Sequence, residues 1–118
     1  MSIIVVEDEF LIRTLLVEAL SEEGFKTFEA ASGDAAVPLL MNEDVQLIVT
    51  DINLPGSLDG IGVAQAARDH KPGIPVVFIS GRPENLADAR VLDHPAVFLQ
   101  KPFALARLLN DVRRLVDA

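Results

Sequence analysis

Four chemically useful groups stand where an apolar run of this sequence gives way to polar residues. Ile3 to Val6 runs into Glu7-Asp8-Glu9, Val45 to Thr50 into Asp51, Ile74 to Ile79 into Ser80, and Ala96 to Gln100 into Lys101. Carboxylates, a hydroxyl and an ammonium are the parts of a phosphoryl-transfer site: a nucleophile, charge neutralisers and a donor to a phosphate oxygen. Singly, each has an ordinary reading. Asp51 and Ser80 suit turns, Glu7 to Glu9 the acidic first turn of a helix, and Lys101 the surface. They make a site only if the fold brings their positions together.

The elements that must do so alternate. Ile3-Ile4-Val5-Val6 is short and β-branched, as in a strand buried on both faces. Leu11, Ile12, Leu15, Leu16, Ala19 and Leu20 recur at helical spacing, and Gly24 suits the residue after that helix. Phe25 to Glu29 reads as a second strand. Ser32 is the N-cap expected for a helix toward Met41, in which Pro38 predicts a kink or an early stop. Val45 to Thr50 is the third strand, followed by a helix with Ile61, Ala64 and Ala67 facing inward. Ile74 to Ile79 is the fourth strand, 84 to 93 a weak fourth helix, and Ala96 to Gln100 the fifth strand. Phe103, Leu105, Leu108, Leu109, Val112, Leu115 and Val116 pattern a last helix.

Five strands alternating with five helices predict an α/β domain with a parallel sheet and right-handed crossovers, one domain spanning 1–118. A Rossmann-like order lacks its G-x-G-x-x-G after the first strand, so the flavodoxin-like doubly wound order 2-1-3-4-5 is favoured. Ligands of such sheets bind at the carboxyl ends of the strands, near the switch point between strands 1 and 3. Asp8 and Asp51 are then neighbours. Carboxylates that close disfavour ionisation unless a cation joins them. A hard, oxygen-preferring ion answers this, and Mg²⁺, with Mn²⁺ as its nearest substitute, suits a site with few carboxylates that must also hold a phosphate.

Composition narrows the partners. The formal net charge of −8 argues against nucleic acid as a direct ligand. The absence of cysteine excludes disulfides, thiolate metal sites and a cysteine nucleophile, and fits a reducing, cytoplasmic setting. No apolar run is long enough to span a bilayer, and no signal peptide precedes the first strand. His70 and His94 have no neighbours at metal-ligand spacing and read as solvated helix-end residues.

Over essentially its whole length the sequence resembles the receiver domain of bacterial two-component response regulators. The resemblance is carried by Val5-Val6-Glu7-Asp8-Glu9, Thr50-Asp51-Ile52-Asn53-Leu54-Pro55-Gly56, Asp59-Gly60, Val77-Phe78-Ile79-Ser80-Gly81 and Phe98-Leu99-Gln100-Lys101-Pro102-Phe103. It implies that Asp51 is the phosphorylated aspartate. Asp8 is then the direct Mg²⁺ ligand of the acidic pair, Glu7 acts mostly through metal-bound water, and Asn53 lends its backbone carbonyl. Ser80 resembles the switch hydroxyl, Lys101 the lysine that contacts the phosphoryl group, and Phe98 the rotating aromatic. The Lys101-Pro102 bond is often cis in the family. The implied partners are a sensor histidine kinase or histidine phosphotransfer protein, and a downstream protein that reads the face of the fourth helix, fifth strand and fifth helix.

Three departures stand out. Glu7 replaces the commoner Asp. The loop Pro55-Gly56-Ser57-Leu58-Asp59-Gly60 is one residue longer than usual. Arg82 is cationic where the family varies. Two other functions use similar parts. A haloacid-dehalogenase-type phosphatase also forms an aspartyl phosphate, but it wants an Asp-x-Asp pair where this chain has Glu7-Asp8-Glu9, and a later acidic pair. A phosphorylation-independent binding module follows only if Glu7 or the longer loop spoils the metal site. The expected role is therefore a signalling switch rather than a turnover enzyme, either as a stand-alone receiver or as part of a larger regulator or hybrid kinase.

Overall fold

The chain alternates strand and helix in the computed structural model, which describes residues 2–82, 84 and 95–117. In order, it forms β1 (Ser2–Val6), α1 (Phe10–Glu22), β2 (Lys26–Ala30), α2 (Gly33–Ala36) and a 3-10 helix (Val37–Met41). These are followed by β3 (Val45–Asp51), α3 (Gly60–His70), β4 (Val76–Ser80), β5 (Ala96–Gln100) and α4 (Leu105–Asp117). The five strands make one parallel sheet in the order β2-β1-β3-β4-β5, the flavodoxin-like order expected. Four α-helices are seen among the described residues. The weak helix expected over 84–93, apart from Glu84, and His94 lie outside them.

The apolar runs become the middle of the sheet. Every residue of β1 and β4 is buried, while the edge strands β2 and β5 are only partly so. Alternation along β1 sorts the core into two layers. Ile4 and Val6 face Ala36, Leu40, Val63, Ala64 and Ala67 of α2, the 3-10 helix and α3. Ile3 and Val5 face Leu16, Leu20, Leu108 and Val112 of α1 and α4. Helices on both faces are what an all-parallel sheet requires.

Local signals set the boundaries. Ser32 caps α2, its side chain accepting from the Ala35 N–H at 3.0 Å. Pro38 follows at once, and because it lacks an N–H and crowds the preceding turn, the segment continues as 3-10 helix to Met41. Gly24 ends α1 with φ 94°. The Gly24 N–H donates to the Ser21 carbonyl and the Phe25 N–H to the Leu20 carbonyl, the Schellman pattern.

The helix expected from the apolar spacing forms, but its pattern is not all covered: Leu16 and Leu20 are buried, while Leu11 is 77% and Leu15 52% exposed, as is Phe10 at 66%. The apolar stripe is wider than the arc that meets the sheet and α4. Periodicity fixes the direction of a stripe, not how much of it a neighbour covers.

Gly24 supplies a clean test of the boundary chemistry. A Cβ there would meet nothing within 4 Å, so the cost of Gly24→Ala is that of a left-handed backbone alone. The urea midpoint should fall by the equivalent of about 1 kcal/mol with an unchanged m-value.

Candidate functional site

The strand order places the chemical groups side by side at one end of the sheet. Glu7 follows β1, Asp51 ends β3, Ser80 ends β4 and Lys101 follows β5. Main-chain bonds continue the strand pairing into these residues: Glu7 N–H to Ala30 O at 3.1 Å, Ile52 N–H to Ile79 O at 2.9 Å and Lys101 N–H to Ser80 O at 2.8 Å. Beneath the end of β3, the first turn of α3 comes close. A Cβ on Gly60 would lie 2.1 Å from the Asp51 carbonyl oxygen, so only glycine allows this approach.

Lys101 joins two buried carboxylates. Its Nζ lies 3.1 Å from Asp51 Oδ2 and 3.2 Å from Glu7 Oε2. The Glu7 side chain is fully buried, and Asp51 is 6% exposed. Glu7 Oε1 also accepts from the Glu9 N–H at 3.2 Å, and Asp51 Oδ1 from the Asn53 N–H at 3.4 Å. Asp8 is exposed, and Glu7, Asp8 and Asp51 each offer an oxygen within 4.8 Å of the others.

The charges are strained in a telling way. Burial first, then the Asp51 charge, push the Glu7 carboxyl up from 4.5 to about 7, against the Glu9 amide and Lys101. For Lys101, burial acts to lower the pKa, but its hydrogen bonds to and the charges of Asp51 and Glu7 outweigh that and raise it. One ammonium therefore under-compensates the carboxylates. The donor set is all oxygen, partly open to water through Asp8, and short of positive charge. It fits a hard, partly hydrated divalent cation such as Mg²⁺.

Of the remaining expected residues, Ser80 and Asn53 meet at this end of the sheet, while Phe98 packs against a core layer. Ser80 is fully buried, and its hydroxyl is engaged by Arg82: it accepts from the Arg82 N–H at 3.0 Å and donates to the Arg82 carbonyl at 3.2 Å. The Asn53 amide donates to Ser80 Oγ at 3.4 Å. Phe98 is half-buried on β5, stacked on Phe78 with centroids 5.4 Å apart and planes 13° from parallel. The Lys101-Pro102 bond is cis. His70 stands at the far end of α3, 3.8 Å from exposed Glu43, and takes no part in the site.

Arg13 was not foreseen. Its guanidinium donates to the Glu7 carbonyl at 2.8 Å and to Glu29 at 3.0 Å, tying α1 to the acidic turn. A lone arginine in a helical pattern gives no sequence signal for that. The exposed cluster of Phe10, Leu11 and Leu15 also escaped notice. Its signal was there, in an apolar stripe on α1 broader than one core face needs.

Comparison with known proteins agrees with this geometry. Residues 3–113 match the response regulator receiver domain family. The response regulator receiver protein CpdR of Brucella abortus is 32% identical over 98% of this chain and 97% of its own length. The sensor kinase CckA of the same organism is 34% identical over 98% of this chain, which spans only 12% of that kinase. A crystal structure of a response regulator receiver protein from Sinorhizobium medicae superposes with a TM-score of 0.91 at 30% identity, covering 100% of this chain and 95% of the other. The chain belongs to the response-regulator receiver family. It is thus a receiver domain of the two-component response-regulator kind, and the phosphatase alternative finds no support.

The raised Glu7 carboxyl makes stability depend on pH. In metal-free protein the folded state takes up a proton near pH 7, where the unfolded chain does so only near 4.5. Stability should rise as pH falls from 8 toward 5, by at most about 2–3 kcal/mol. Glu7→Gln should be the more stable protein at pH 8 and lose most of this slope in urea titrations across the range. A wild-type slope retained in Glu7→Gln would refute the cause.

Proposed function

We propose that Asp51 accepts a phosphoryl group from a phosphohistidine of a sensor histidine kinase or phosphotransfer protein, and that the domain signals through the resulting acyl phosphate. The observation that carries this is the Lys101 ammonium at 3.1–3.2 Å from both buried carboxylates, with Asp8 beside them. A chain does not bury such a cluster for stability, because desolvating charges costs more than their pairing returns.

Asp8 and Asp51 would hold Mg²⁺ directly, with the Asn53 main-chain carbonyl, and Glu7 through a bound water. The ion would supply charge neutralisation on the transferring group. In the transfer, an Asp51 carboxylate oxygen attacks phosphorus in line, the P–N bond to the donor imidazole breaks, and a P–O bond forms. Lys101 already touches Asp51 and is placed to follow the charge onto the phosphoryl oxygens. Hydrolysis later returns the carboxylate.

The switch follows from what Ser80 must give up. Its hydroxyl is held by the Arg82 backbone and must leave that turn to donate to a phosphoryl oxygen. That rearrangement, with rotation of Phe98 away from Phe78, would change edge strand β5 and the adjoining α4 surface for a downstream protein. A protein rather than a small molecule is favoured as donor. Phe10, Leu11 and Leu15 expose an apolar patch beside the site, and a groove of about 350 Å³ between Leu15, Pro102, Phe103 and Leu105 reaches Lys101.

With Mg²⁺ and acetyl phosphate, the chain should gain one alkali-labile, hydroxylamine-sensitive phosphoryl group by mass spectrometry, blocked by chelation. Asp51→Asn should abolish it with the fold intact. Labelling of Asp51→Asn at the wild-type rate would overturn the assignment.

The metal ligands should separate by calorimetry. Asp8→Asn should weaken Mg²⁺ by about tenfold or more, the scale of one lost charge-assisted contact, and Glu7→Gln by less. Equal, unaltered affinity in both would sink the ligand set. Ser80→Ala should keep wild-type Mg²⁺ affinity but lose the amide shift response of β5 to a phosphoryl mimic.

A further inference from the structure

The loop marked by the sequence as longer than usual is fastened to the start of α2. Asp34 accepts the Ser57 hydroxyl at 2.9 Å on Oδ1 and the Ser57 N–H at 3.3 Å on Oδ2. Next to this pair the Leu58 carbonyl lies against Gly33: a Cβ on Gly33 would stand 2.2 Å from that oxygen, so any side chain there forces the loop away. The Leu58 side chain packs on the core layer under α3. On its far side the loop closes onto α3, where the Asp59 carboxylate accepts the Gly62 N–H at 2.8 Å and the Gly60 N–H reaches Ile52 O at 2.9 Å. The main chain leaving Asp51 is therefore pinned at both ends of a segment that contains Asn53.

We propose that Asp34 and Ser57 are positioning residues for the metal site: by holding Pro55 to Asp59 against α2, they fix the main chain around Asn53 before a cation arrives. The proposal rests on the reading of Asn53 as a backbone ligand. Neither residue touches the reacting atoms. Their bonds to one another order a loop whose freedom would otherwise be lost on metal binding, and such ordering sets affinity more than the rate of the step that follows. The pairing also gives the extra loop residue a use, since a longer loop is freer unless something holds it.

The test compares the full chain with Asp34→Ala, Ser57→Ala, the double variant, Asp34→Asn and Gly33→Ala. Amide hydrogen exchange on metal-free protein reads the loop. Calorimetry reads Mg²⁺ affinity, because the chain has neither Trp nor Tyr to report it by fluorescence. Each single alanine variant should speed exchange across residues 53 to 58 and weaken Mg²⁺ roughly three- to tenfold. The double variant should be no worse than either single one, as for two halves of one contact. Asp34→Asn, which keeps an acceptor oxygen, should fall between, and Gly33→Ala should match or exceed Asp34→Ala. Labelling by acetyl phosphate at saturating Mg²⁺ should stay within about twofold of wild type in the Asp34 and Ser57 variants. Wild-type Mg²⁺ affinity in Asp34→Ala and Ser57→Ala, or additive losses in the double variant, would overturn the positioning role and leave the acceptor reading standing. A wild-type chain that binds no Mg²⁺ would overturn both.

Discussion

Two carboxylates buried at the ends of neighbouring strands repel each other, and a single lysine from the far edge of the sheet holds them together. Glu7 and Asp51 sit after β1 and in β3, and Lys101 reaches both from beyond β5. The contact exists only because the strands are parallel and ordered so that β1 and β3 are adjacent. It is also incomplete: the Glu7 carboxyl is driven up to about 7 by burial and by Asp51 despite the lysine. The site is thus built with a deficit of positive charge, which fits a divalent cation.

Much of the surrounding packing serves to keep that end of the sheet rigid. The alternating faces of β1 are each covered by helices, so the strand that presents Glu7 cannot shift without disturbing both core layers. Gly60 lets α3 start directly under Asp51, and Arg13 ties the Glu7 carbonyl to α1. The β3–α3 loop is drawn to Asp34. By contrast, Phe10, Leu11 and Leu15 at the start of α1 are exposed apolar side chains among the described residues. Stability alone does not call for exposed Phe10, Leu11 and Leu15. They form an exposed apolar patch at the N-terminal end of α1.

The alternation of strands and helices among the described residues and the sheet order were legible in the sequence. Short β-branched runs and helical periodicity depend on local composition, and each candidate group stood at the end of such a run. Gly24, Ser32 and Pro38 likewise announced their turns, because capping and proline effects act within a few residues. What stayed hidden depends on distances between residues far apart in the chain. The reach of the longer Glu7 side chain to Lys101 joins positions 94 apart, and Asp34 meets Ser57 across 23.

The sequence by itself determined which groups this protein can use and roughly where along each strand they fall, since the two-residue repeat of a strand and the chemistry of its last residue are local properties. Only the tertiary structure decided that Glu7 is fully buried while Asp8 is exposed, that Ser80 is held by the Arg82 backbone, and that Leu11 and Leu15 of the apolar stripe of α1 face solvent. Burial, charge balance and exposure are properties of what packs against a residue. Those neighbours come from other strands and helices, so no window of the chain contains the answer.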